Sequence, residues 1–239
     1  MVTAESVKGK IQGLIDSANA VTGCTDGNLS TAVGSLIAGF GQGGGSDTDI
    51  EDALITKTLV EYENDRVTVL GSRAFSSHIN LVSVNLPNVF SIGVRSFEDC
   101  GSLKNVNIPK LNLNVSTYAF LGCKSLETVT FPLVREISSY AFRDCSALKK
   151  CDFPNLGQIF TNAFMNCEQL DCLILRSNSV TGLSKINAFN NTPFANGGSG
   201  GTVYVPGALV DTYKVSTNWS ALYESGSCSF AAIEGSEYE

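Results

Sequence analysis

The central part of the chain repeats itself every 22 or 23 residues. In the regular units a small residue and a phenylalanine are followed three residues later by a cysteine, and then by Leu-x-x-apolar-x-apolar-Pro. Units this short bury their apolar residues only by stacking on their neighbours, so the period predicts a solenoid. The phenylalanines of the five clear units are Phe75, Phe97, Phe120, Phe142 and Phe164, and a degraded sixth copy contains Phe189.

The apolar spacing predicts which residues of each coil face the core. An extended segment begins at each repeat leucine (Leu81, Leu103, Leu126, Leu148 and Leu170), and a proline ends the first four because it cannot donate to a strand ladder. Two further apolar columns are predicted to point inward, namely Val89, Leu111, Leu133 and Leu156, then Ile92, Val115, Ile137 and Ile159. The strict period makes the phenylalanines a core spine rather than a surface for stacking ligands. We therefore predict one right-handed, β-rich repeat solenoid of five to six coils over residues 67–194.

Four of the eight cysteines share one repeat position, namely Cys100, Cys123, Cys145 and Cys167. Neighbouring coils bring such residues within disulfide range, but parallel side chains suit the disulfide torsion poorly. We predict reduced core thiols, with a bridged ladder as the alternative. Cys24, Cys172 and Cys228 lie outside this pattern and receive no assignment. His78 replaces the cysteine in the first coil and is predicted to be a partly exposed structural histidine.

The segments on either side of the repeats differ from them in composition. Residues 4–40 contain two amphipathic helical patterns, which predict a helical hairpin, and a glycine-rich linker completes the unit 1–45. Residues 46–66 are interpreted as an acidic linker and a capping β-hairpin. Residues 195–239 are predicted to form a carboxy-terminal cap that contains a strand, a short helical segment with Trp219 and a final strand. The apolar faces of the hairpin favour either a handle for a homo-oligomer or virion partner, or a cap on the first coil.

Composition argues against several classes of function. The net charge of −7 and the pI near 4.8 disfavour nucleic-acid binding, which depends on clusters of Lys and Arg. No apolar run approaches the roughly 20 residues that span a bilayer, and no secretory signal follows Met1. With one histidine, no nucleophile–base pair and no metal-ligand spacing, we predict neither catalysis nor a metal or other cofactor.

The coil pattern apolar-x-x-x-x-Ala-Phe-x-x-Cys-x-x-Leu-x-x-apolar-x-apolar-Pro resembles the BspA-like (Treponema pallidum type) leucine-rich repeats. The segment from Val203 to Trp219 looks like the carboxy-terminal cap of such proteins from gut bacteria and their phages. Residues 31–41 are similar to the leading segment of phage or prophage minor structural proteins that bear these repeats. The chain departs from the pattern at Ile174-Leu175-Arg176, where the proline is missing. The resemblance implies a non-enzymatic, extracellular, cell-surface or virion module that binds proteins or glycans, and it carries over no site residues.

The residues between the apolar positions of each strand are predicted to point away from the core and to form one polar ribbon. They are Ser83, Asn85, Lys104, Asn105, Asn107, Glu127, Thr128, Thr130, Lys149, Lys150 and Asp152. One interpretation is an adhesin-like surface that recognises protein or glycan, because solenoid curvature makes such faces binding surfaces. A solvated face without a ligand is the other. A second functional hypothesis makes the solenoid a spacer in a phage tail-like assembly, attached through the amino-terminal helices.

Overall fold

The computed structural model describes Lys57 and residues 59–195 and 200–239. The predicted helical hairpin, its glycine-rich linker, the acidic linker up to residue 56 and the phage-like segment 31–41 lie outside the described residues. Within the described ranges, no helix has the length and apolar character needed to cross a membrane.

The described part of the chain is a parallel β-solenoid of six coils. Each coil contributes one strand to a first sheet, one strand to a second sheet, and a turn that contains the repeat phenylalanine. The first-sheet strands are β1 (Glu61–Glu63), β3 (Ser83–Asn85), β5 (Asn105–Asn107), β7 (Thr128–Thr130), β9 (Lys150–Phe153) and β11 (Cys172–Leu175). The second-sheet strands are β2 (Val69–Leu70), β4 (Ser91–Ile92), β6 (Asn112–Val115), β8 (Leu133–Ile137), β10 (Gln158–Ile159) and β12 (Gly182–Leu183). The predicted solenoid is confirmed.

A cap of two short helices and two strands closes the carboxy-terminal end. The sixth coil ends in a 3-10 helix, Ile186–Phe189, and is followed by β13 (Gly201–Val205) and a second 3-10 helix, Gly207–Leu209. Then come helix α1 (Val210–Val215), helix α2 (Trp219–Glu224) and β14 (Cys228–Ala232). Strands β13 and β14 extend the first sheet in the order β9–β11–β13–β14, with all pairs parallel.

The prediction of an amino-terminal β-hairpin that caps the solenoid is wrong for the residues of this segment that the structure describes. β1 pairs in parallel with β3, and β2 pairs in parallel with β4, so the two strands belong to different sheets and form the first coil. The chain turns at Asn64-Asp65, where the Asn64 side chain accepts from the backbone N–H groups of Arg66 and Val67 at 2.9 and 3.0 Å. That turn redirects the chain from one sheet to the other instead of reversing it.

Stacked phenylalanine rings hold the turns of the six coils together. Successive rings from Phe75 to Phe189 lie 5.1–5.5 Å apart between centroids and within 7° of parallel. Tyr62 covers the first ring at 5.0 Å, and Trp219 lies 5.9 Å from the last. All the phenylalanines of the stack are fully buried, which confirms the predicted core spine.

Two predictions about individual side chains are wrong. Leu133 was expected in an inward column, but it is 45 % exposed and Val134 is fully buried in its place. Val134 stands three residues after the buried Phe131, as Val89 stands three residues after the buried Leu86. Val134 is therefore the member of this inward column in the fourth coil, one residue after the predicted Leu133. His78 is buried rather than partly exposed, with its ring edge-on to Phe75 at 5.6 Å.

The four ladder cysteines are free thiols, as predicted. Each one donates its S–H to the carbonyl of the phenylalanine in the preceding coil, at sulfur–oxygen distances of 3.0–3.2 Å. Burial raises the pKa of Cys100 to about 12, and it raises the pKa of Cys123 and of Cys167 well above the ordinary value. The thiols of Cys100, Cys123 and Cys167 therefore stay protonated at neutral pH. All four buried ladder cysteines act as small apolar groups that carry one weak donor.

Side chains of the cap, rather than another strand, cover the free edge of β12. The Tyr213 hydroxyl accepts from the Thr181 N–H at 2.8 Å, and the Trp219 ring N–H donates to the Thr181 carbonyl at 2.7 Å. The Asn218 amide donates to the carbonyls of Leu183 and Ser184 at 2.7 and 3.2 Å. The cap thus satisfies backbone groups that an open sheet edge would expose to edge-to-edge pairing.

One extra residue distinguishes the third coil. Phe120 follows Phe97 by 23 residues, whereas Phe97, Phe142 and Phe164 each follow the preceding ring by 22. The extra residue lies between the buried Leu111 and Val115, which are four residues apart where Val89 and Ile92 are three apart. In this segment the register of β6 against β8 shifts, between Leu113 and Asn114. Leu113 has φ 62° and its side chain is 69 % exposed, so a leucine occupies the left-handed region without burying its side chain.

Phe120→Ala should destabilise the solenoid by about 3–5 kcal/mol, because the substitution leaves a cavity inside the ring stack. Phe90→Ala is the matched control, since Phe90 is 43 % exposed, and it should cost about 1 kcal/mol or less. Urea unfolding followed by circular dichroism measures both. Equal losses for the two variants would contradict the assigned role of the ring stack.

Leu113→Gly should stabilise the protein by about 0.5–1 kcal/mol, because a left-handed backbone strains leucine by about 1–2 kcal/mol and glycine hardly at all. Leu133→Gly is the control. Leu133 is another exposed leucine of the second sheet, has no positive φ and should lose stability when replaced by glycine. Thermal and urea unfolding report the sign of each change, and destabilisation by Leu113→Gly would contradict the assigned strain.

Candidate functional site

The outer face of the first sheet carries two rows of side chains that run across the coils. Parallel pairing places equivalent residues directly beside each other, so every second residue of a strand joins the same row. The first row is Glu61, Ser83, Asn105, Thr128, Lys150 and Cys172, and the second is Glu63, Asn85, Asn107, Thr130, Asp152 and Ile174. Where strands are paired, the face therefore presents side chains of neighbouring coils at strand spacing, about 4.8 Å apart. β5 and β7 are the exception, because they are not paired.

The residues predicted for the binding ribbon all lie on the solvent side of the first sheet or just before its strands. None of the eleven is buried. Eight stand in the two rows, whereas Lys104, Glu127 and Lys149 precede the strands and form a third, exposed row. The structure thus brings the predicted residues together on one surface, and this placement by itself does not test binding.

Hydrogen bonds order part of the second row into an amide ladder. The Asn107 amide donates to the Asn85 side-chain oxygen at 2.7 Å, and the Asn85 amide donates to a Glu63 carboxylate oxygen at 2.6 Å. In such a ladder each amide oxygen accepts a hydrogen bond from the side chain of the next coil. The Asn107 amide oxygen is therefore the last acceptor of the ladder. No described residue donates to it, so the ladder ends in an oriented acceptor beside the fourth coil.

Two ion pairs lie on this face. Lys149 contacts Glu127 at 3.0 Å, and Arg176 contacts Asp152 through two nitrogens at 3.1–3.4 Å. Lys104 has no ion pair within the described ranges. Because the Lys149 pair is well exposed and the Arg176 pair is partly buried, the second restrains the face more strongly. The first half of the face is rich in neutral amides and hydroxyls, with the cation Lys104 and the carboxylates Glu61 and Glu63 outside any ion pair of the described residues.

The second half of the face is covered by the carboxy-terminal segment, which sequence reasoning missed. Ile174 and Cys172 occupy outward positions but are buried under Ile233 and Tyr238. The Tyr238 ring lies edge-on to Tyr204 at 4.6 Å, and the Lys150 ammonium lies 5.4 Å above the same ring. The apolar residue at position 174, in a row that is otherwise polar, is the one sequence signal of this cover.

The covered thiol and its neighbour have perturbed acidities. Burial raises the pKa of Cys172, and the Tyr238 side chain partly opposes this shift. The interaction with the Cys172 thiol is the main cause that raises the pKa of Tyr238, followed by desolvation. Both groups are therefore neutral at physiological pH, so the contact is one between uncharged side chains.

A groove interrupts the first sheet between the third and fourth coils. β5 and β7, both fully described, are not paired, and the sheet divides there into β1–β3–β5 and the strands from β7 onward. The groove has a volume of about 350 Å³. Its walls are Lys104, Asn105, Val106, Asn107 and Pro109 on one side, and Thr128, Thr130 and Pro132 on the other. Five of the eleven predicted residues thus line a concavity that the repeat pattern did not predict.

A second cleft of about 540 Å³ lies between the edge of the second sheet and the cap. Val180–Ser184 and Val215–Thr217 line it, together with Gln158 and the buried Trp219. Polar groups of its walls already hydrogen-bond one another, as in the bond from the Gln158 amide to the Ser184 hydroxyl at 3.0 Å. No group of three or more His, Cys, Asp or Glu side chains in the described residues is arranged to hold a metal ion.

Comparison with protein families identifies the repeats. The family model of the BspA type leucine rich repeat region matches residues 68–196 in six copies. The resemblance inferred from the coil pattern is therefore confirmed, and it includes the degraded sixth coil. No curated protein matches the chain.

Solved structures similar to this chain are bacterial leucine-rich repeat proteins. The pneumococcal vaccine antigen PcpA is 16 % identical, with a TM-score of 0.55 over 73 % of this chain and 41 % of that one, and this likeness shows the fold. A leucine rich cell surface protein from Faecalibacterium prausnitzii is 26 % identical, with a TM-score of 0.48 over 50 % of this chain and 33 % of that one. The Treponema pallidum leucine rich repeat protein is 19 % identical, with a TM-score of 0.41 over 72 % and 86 %. The chain spans about a third of the Faecalibacterium protein.

Deleting residues 236–239 should expose the Cys172 thiol, because Tyr238 leaves the sheet face. One additional thiol should then react with Ellman's reagent at pH 8 in the folded protein, since the exposed thiol loses the burial that raises its pKa. Cys172→Ser in the shortened chain should remove the extra reaction, and Tyr238→Phe in the full chain should not produce it. Labelling of ladder cysteines instead would mean that the deletion unfolds the solenoid, and an unchanged count would contradict the cover.

Proposed function

The chain belongs to the BspA-type leucine-rich repeat family, and on that premise we propose that it is a non-enzymatic binding module. It recognises a protein or glycan through the uncovered half of the first sheet, from β1 to β7. The module belongs to a cell-surface or secreted protein, the setting typical of this family. Its adhesive role follows from the same face.

The amide ladder of Asn107, Asn85 and Glu63 is the observation that supports this proposal most directly. Its hydrogen bonds hold the side chains in one orientation before a ligand arrives, which lowers the entropy lost on binding. Neutral amides and hydroxyls also lose less hydration free energy than charges when a ligand covers them. A merely solvated face has no need of oriented groups that end at a concavity.

The alternative function, a spacer in a phage tail-like assembly, depends on attachment through residues 4–40, outside the described residues. The two functions make opposite demands on the sheet face. A spacer keeps its function when residues of that face are replaced by other polar residues, whereas a binding module loses affinity for its ligand.

Substitutions on the face should weaken binding without altering the fold. The full chain is screened against a glycan array and a heptapeptide display library, and the tightest binder is then measured by biolayer interferometry. Asn85→Ala combined with Asn107→Ala should weaken it at least about tenfold, because oriented hydrogen bonds are lost. Asn155→Ala is the control, since Asn155 is exposed at a corner away from the face and also donates one bond between coils, at 2.7 Å to the Pro132 carbonyl.

Binders that respond equally to the Asn155 and Asn85/Asn107 substitutions would place recognition elsewhere on the molecule. An absence of any binder in both libraries would favour the spacer.

A further inference from the structure

We propose that the groove between β5 and β7 binds a short extended peptide, which lies along the two strands and hydrogen-bonds to backbone groups that they leave open. This inference rests on the proposed function, because it names the ligand class of the same face. The face as a whole offers side chains, whereas this groove also offers the polypeptide backbone.

In the first sheet, backbone hydrogen bonds at one equivalent position join each coil to the next, except between the third and fourth coils. Four of these bonds run from Val82 to Val60, from Lys104 to Val82, from Lys149 to Glu127 and from Asp171 to Lys149, at N–O distances of 2.7–3.2 Å. One position further along the coil, Thr202 bonds to Asp171 at 2.8 Å. The corresponding bond from Glu127 to Lys104 is missing. In the first sheet, only the boundary between the third and fourth coils is therefore open among the coils that the structure describes. In the second sheet β4 and β6 are also not paired as strands, but the Asn112 N–H donates to the Phe90 carbonyl across that boundary at 3.2 Å.

The open groups on the third coil are those of Val106 and the Lys104 carbonyl, which the missing bond from Glu127 leaves open. Asn105 donates its N–H to Val82, and the Asn107 carbonyl accepts from Leu86, so these two residues are bonded to the second coil. Strand backbones alternate the direction of their N–H and C=O groups. The N–H and C=O of Val106 consequently face the groove, and neither has a described partner. Val106 is half-buried, whereas its equivalents Val84 and Val129 are buried.

The open groups on the fourth coil are those of Thr128 and Thr130 and the Glu127 N–H, which has no bond to Lys104. Glu127 accepts from Lys149 and Lys150, and Phe131 donates to Asp152, so these positions bond to the fifth coil. By the same alternation, the N–H and C=O groups of Thr128 and Thr130 point back across the groove toward Val106. Two walls with alternating donors and acceptors thus face each other in parallel.

The third and fourth coils separate only at the first sheet, because the turns and the second sheet hold the two coils together. At the turns the Phe120 and Phe142 rings stack at 5.3 Å, and the Phe120 N–H donates to the Ala141 carbonyl at 2.8 Å. In the second sheet β6 pairs with β8 through the bulge between Leu113 and Asn114. A bulge bends its strand and increases the local twist, so the third coil tilts away from the fourth at the first sheet. The extra residue of the third coil is the sequence origin of the groove.

The repeat of the open groups favours a peptide over a glycan. A polypeptide presents N–H and C=O groups with the strand period of the walls, which is the basis of recognition by strand addition. The hydroxyls of a sugar do not recur with that period. The volume of about 350 Å³ lies at the lower end of ligand sites, and the three-residue strands on either side suit a contact about three residues long. Apart from Lys104 the walls are uncharged, so uncharged ligand side chains are favoured.

The open boundary can be tested on the free protein with proline substitutions. Thr128→Pro removes an N–H that faces the groove, so the melting temperature should fall by less than about 2 °C. Lys150→Pro is the matched control at the equivalent position of the fifth coil, where the N–H donates to Glu127, and it should lower the melting temperature by more than about 5 °C. Amide exchange should be fast at Val106, Thr128 and Thr130 and slow at Lys150. Equal destabilisation together with slow exchange at Thr128 would mean that the boundary is closed in solution.

Binding is tested with the full chain and a random heptapeptide library displayed on phage. The tightest peptide is resynthesised with single N-methyl groups, which remove one backbone donor each. Methylation at alternate positions should weaken binding about tenfold, while the positions between them tolerate it. Thr128→Pro should weaken the peptide by a similar factor. Deletion of Leu113, which restores the 22-residue period while keeping every wall residue, should abolish binding by closing the groove.

The outcomes separate this inference from the proposed function. One result is a peptide that loses affinity for the Asn85→Ala/Asn107→Ala variant but binds equally well after N-methylation, Thr128→Pro or the Leu113 deletion. This result would contradict the peptide groove and would retain the proposed binding face. Glycan-array ligands of the face, without any peptide, would also overturn it. An absence of ligands for the whole face would defeat both. If the Leu113 deletion does not fold, the N-methyl series and Thr128→Pro decide alone.

Discussion

The ring stack from Phe75 to Phe189 is the constraint on which the rest of the structure depends. Its centroid spacing of 5.1–5.5 Å keeps consecutive turns together, close to the distance at which parallel strands pair. The bonds from ladder cysteines to phenylalanine carbonyls and the backbone bonds between turns reinforce the same layer. Because the turns form the continuous layer of the solenoid, irregularities in coil length have to be absorbed by the sheets.

Two coils show how that absorption differs. The third coil has one extra residue, which lies between Leu111 and Val115 at the second sheet and coincides with the missing pairing between β5 and β7 in the first. The sixth coil is longer, with Phe189 following Phe164 by 25 residues, and its additional chain precedes β12. There the cap provides Tyr213, Asn218 and Trp219 as partners for the β12 edge. An insertion next to a cap is therefore closed by side chains, whereas an insertion between two regular coils leaves a gap.

Sequence periodicity predicted the features that recur in every coil. The spine and the free ladder thiols follow from constant spacing, and the outward position of residues such as Asn85 and Asn107 follows from strand alternation. Placing Leu133 in a core column was wrong, because alternation along a strand turns a one-residue error into the opposite face. The capping hairpin was wrong because two short alternating segments around a turn look the same whether they pair with each other or with the next coil.

The features that sequence did not predict depend on contacts without a period. Ile174 breaks the polar row visibly, but its cover lies at Ile233 and Tyr238, about sixty residues away and outside the repeats. The 23-residue spacing of the third coil was equally visible. Spacing alone does not tell whether an extra residue loops out or separates two coils, because that depends on which layer of the coil is held most firmly.

A regular solenoid limits what its sheet can recognise, since pairing consumes the backbone groups of every closed boundary and leaves only side chains exposed. Recognition through the backbone requires a boundary that stays open without exposing the core. The third and fourth coils meet this condition, because Ile108, Val129 and Phe131 stay buried behind the groove while Val106 alone is partly exposed. The open groups remain hydrated, so they cost far less than unsatisfied groups in the interior. The continuous ring stack is what allows the sheet to separate locally, and the same coil length that weakens the sheet there gives the face its concavity.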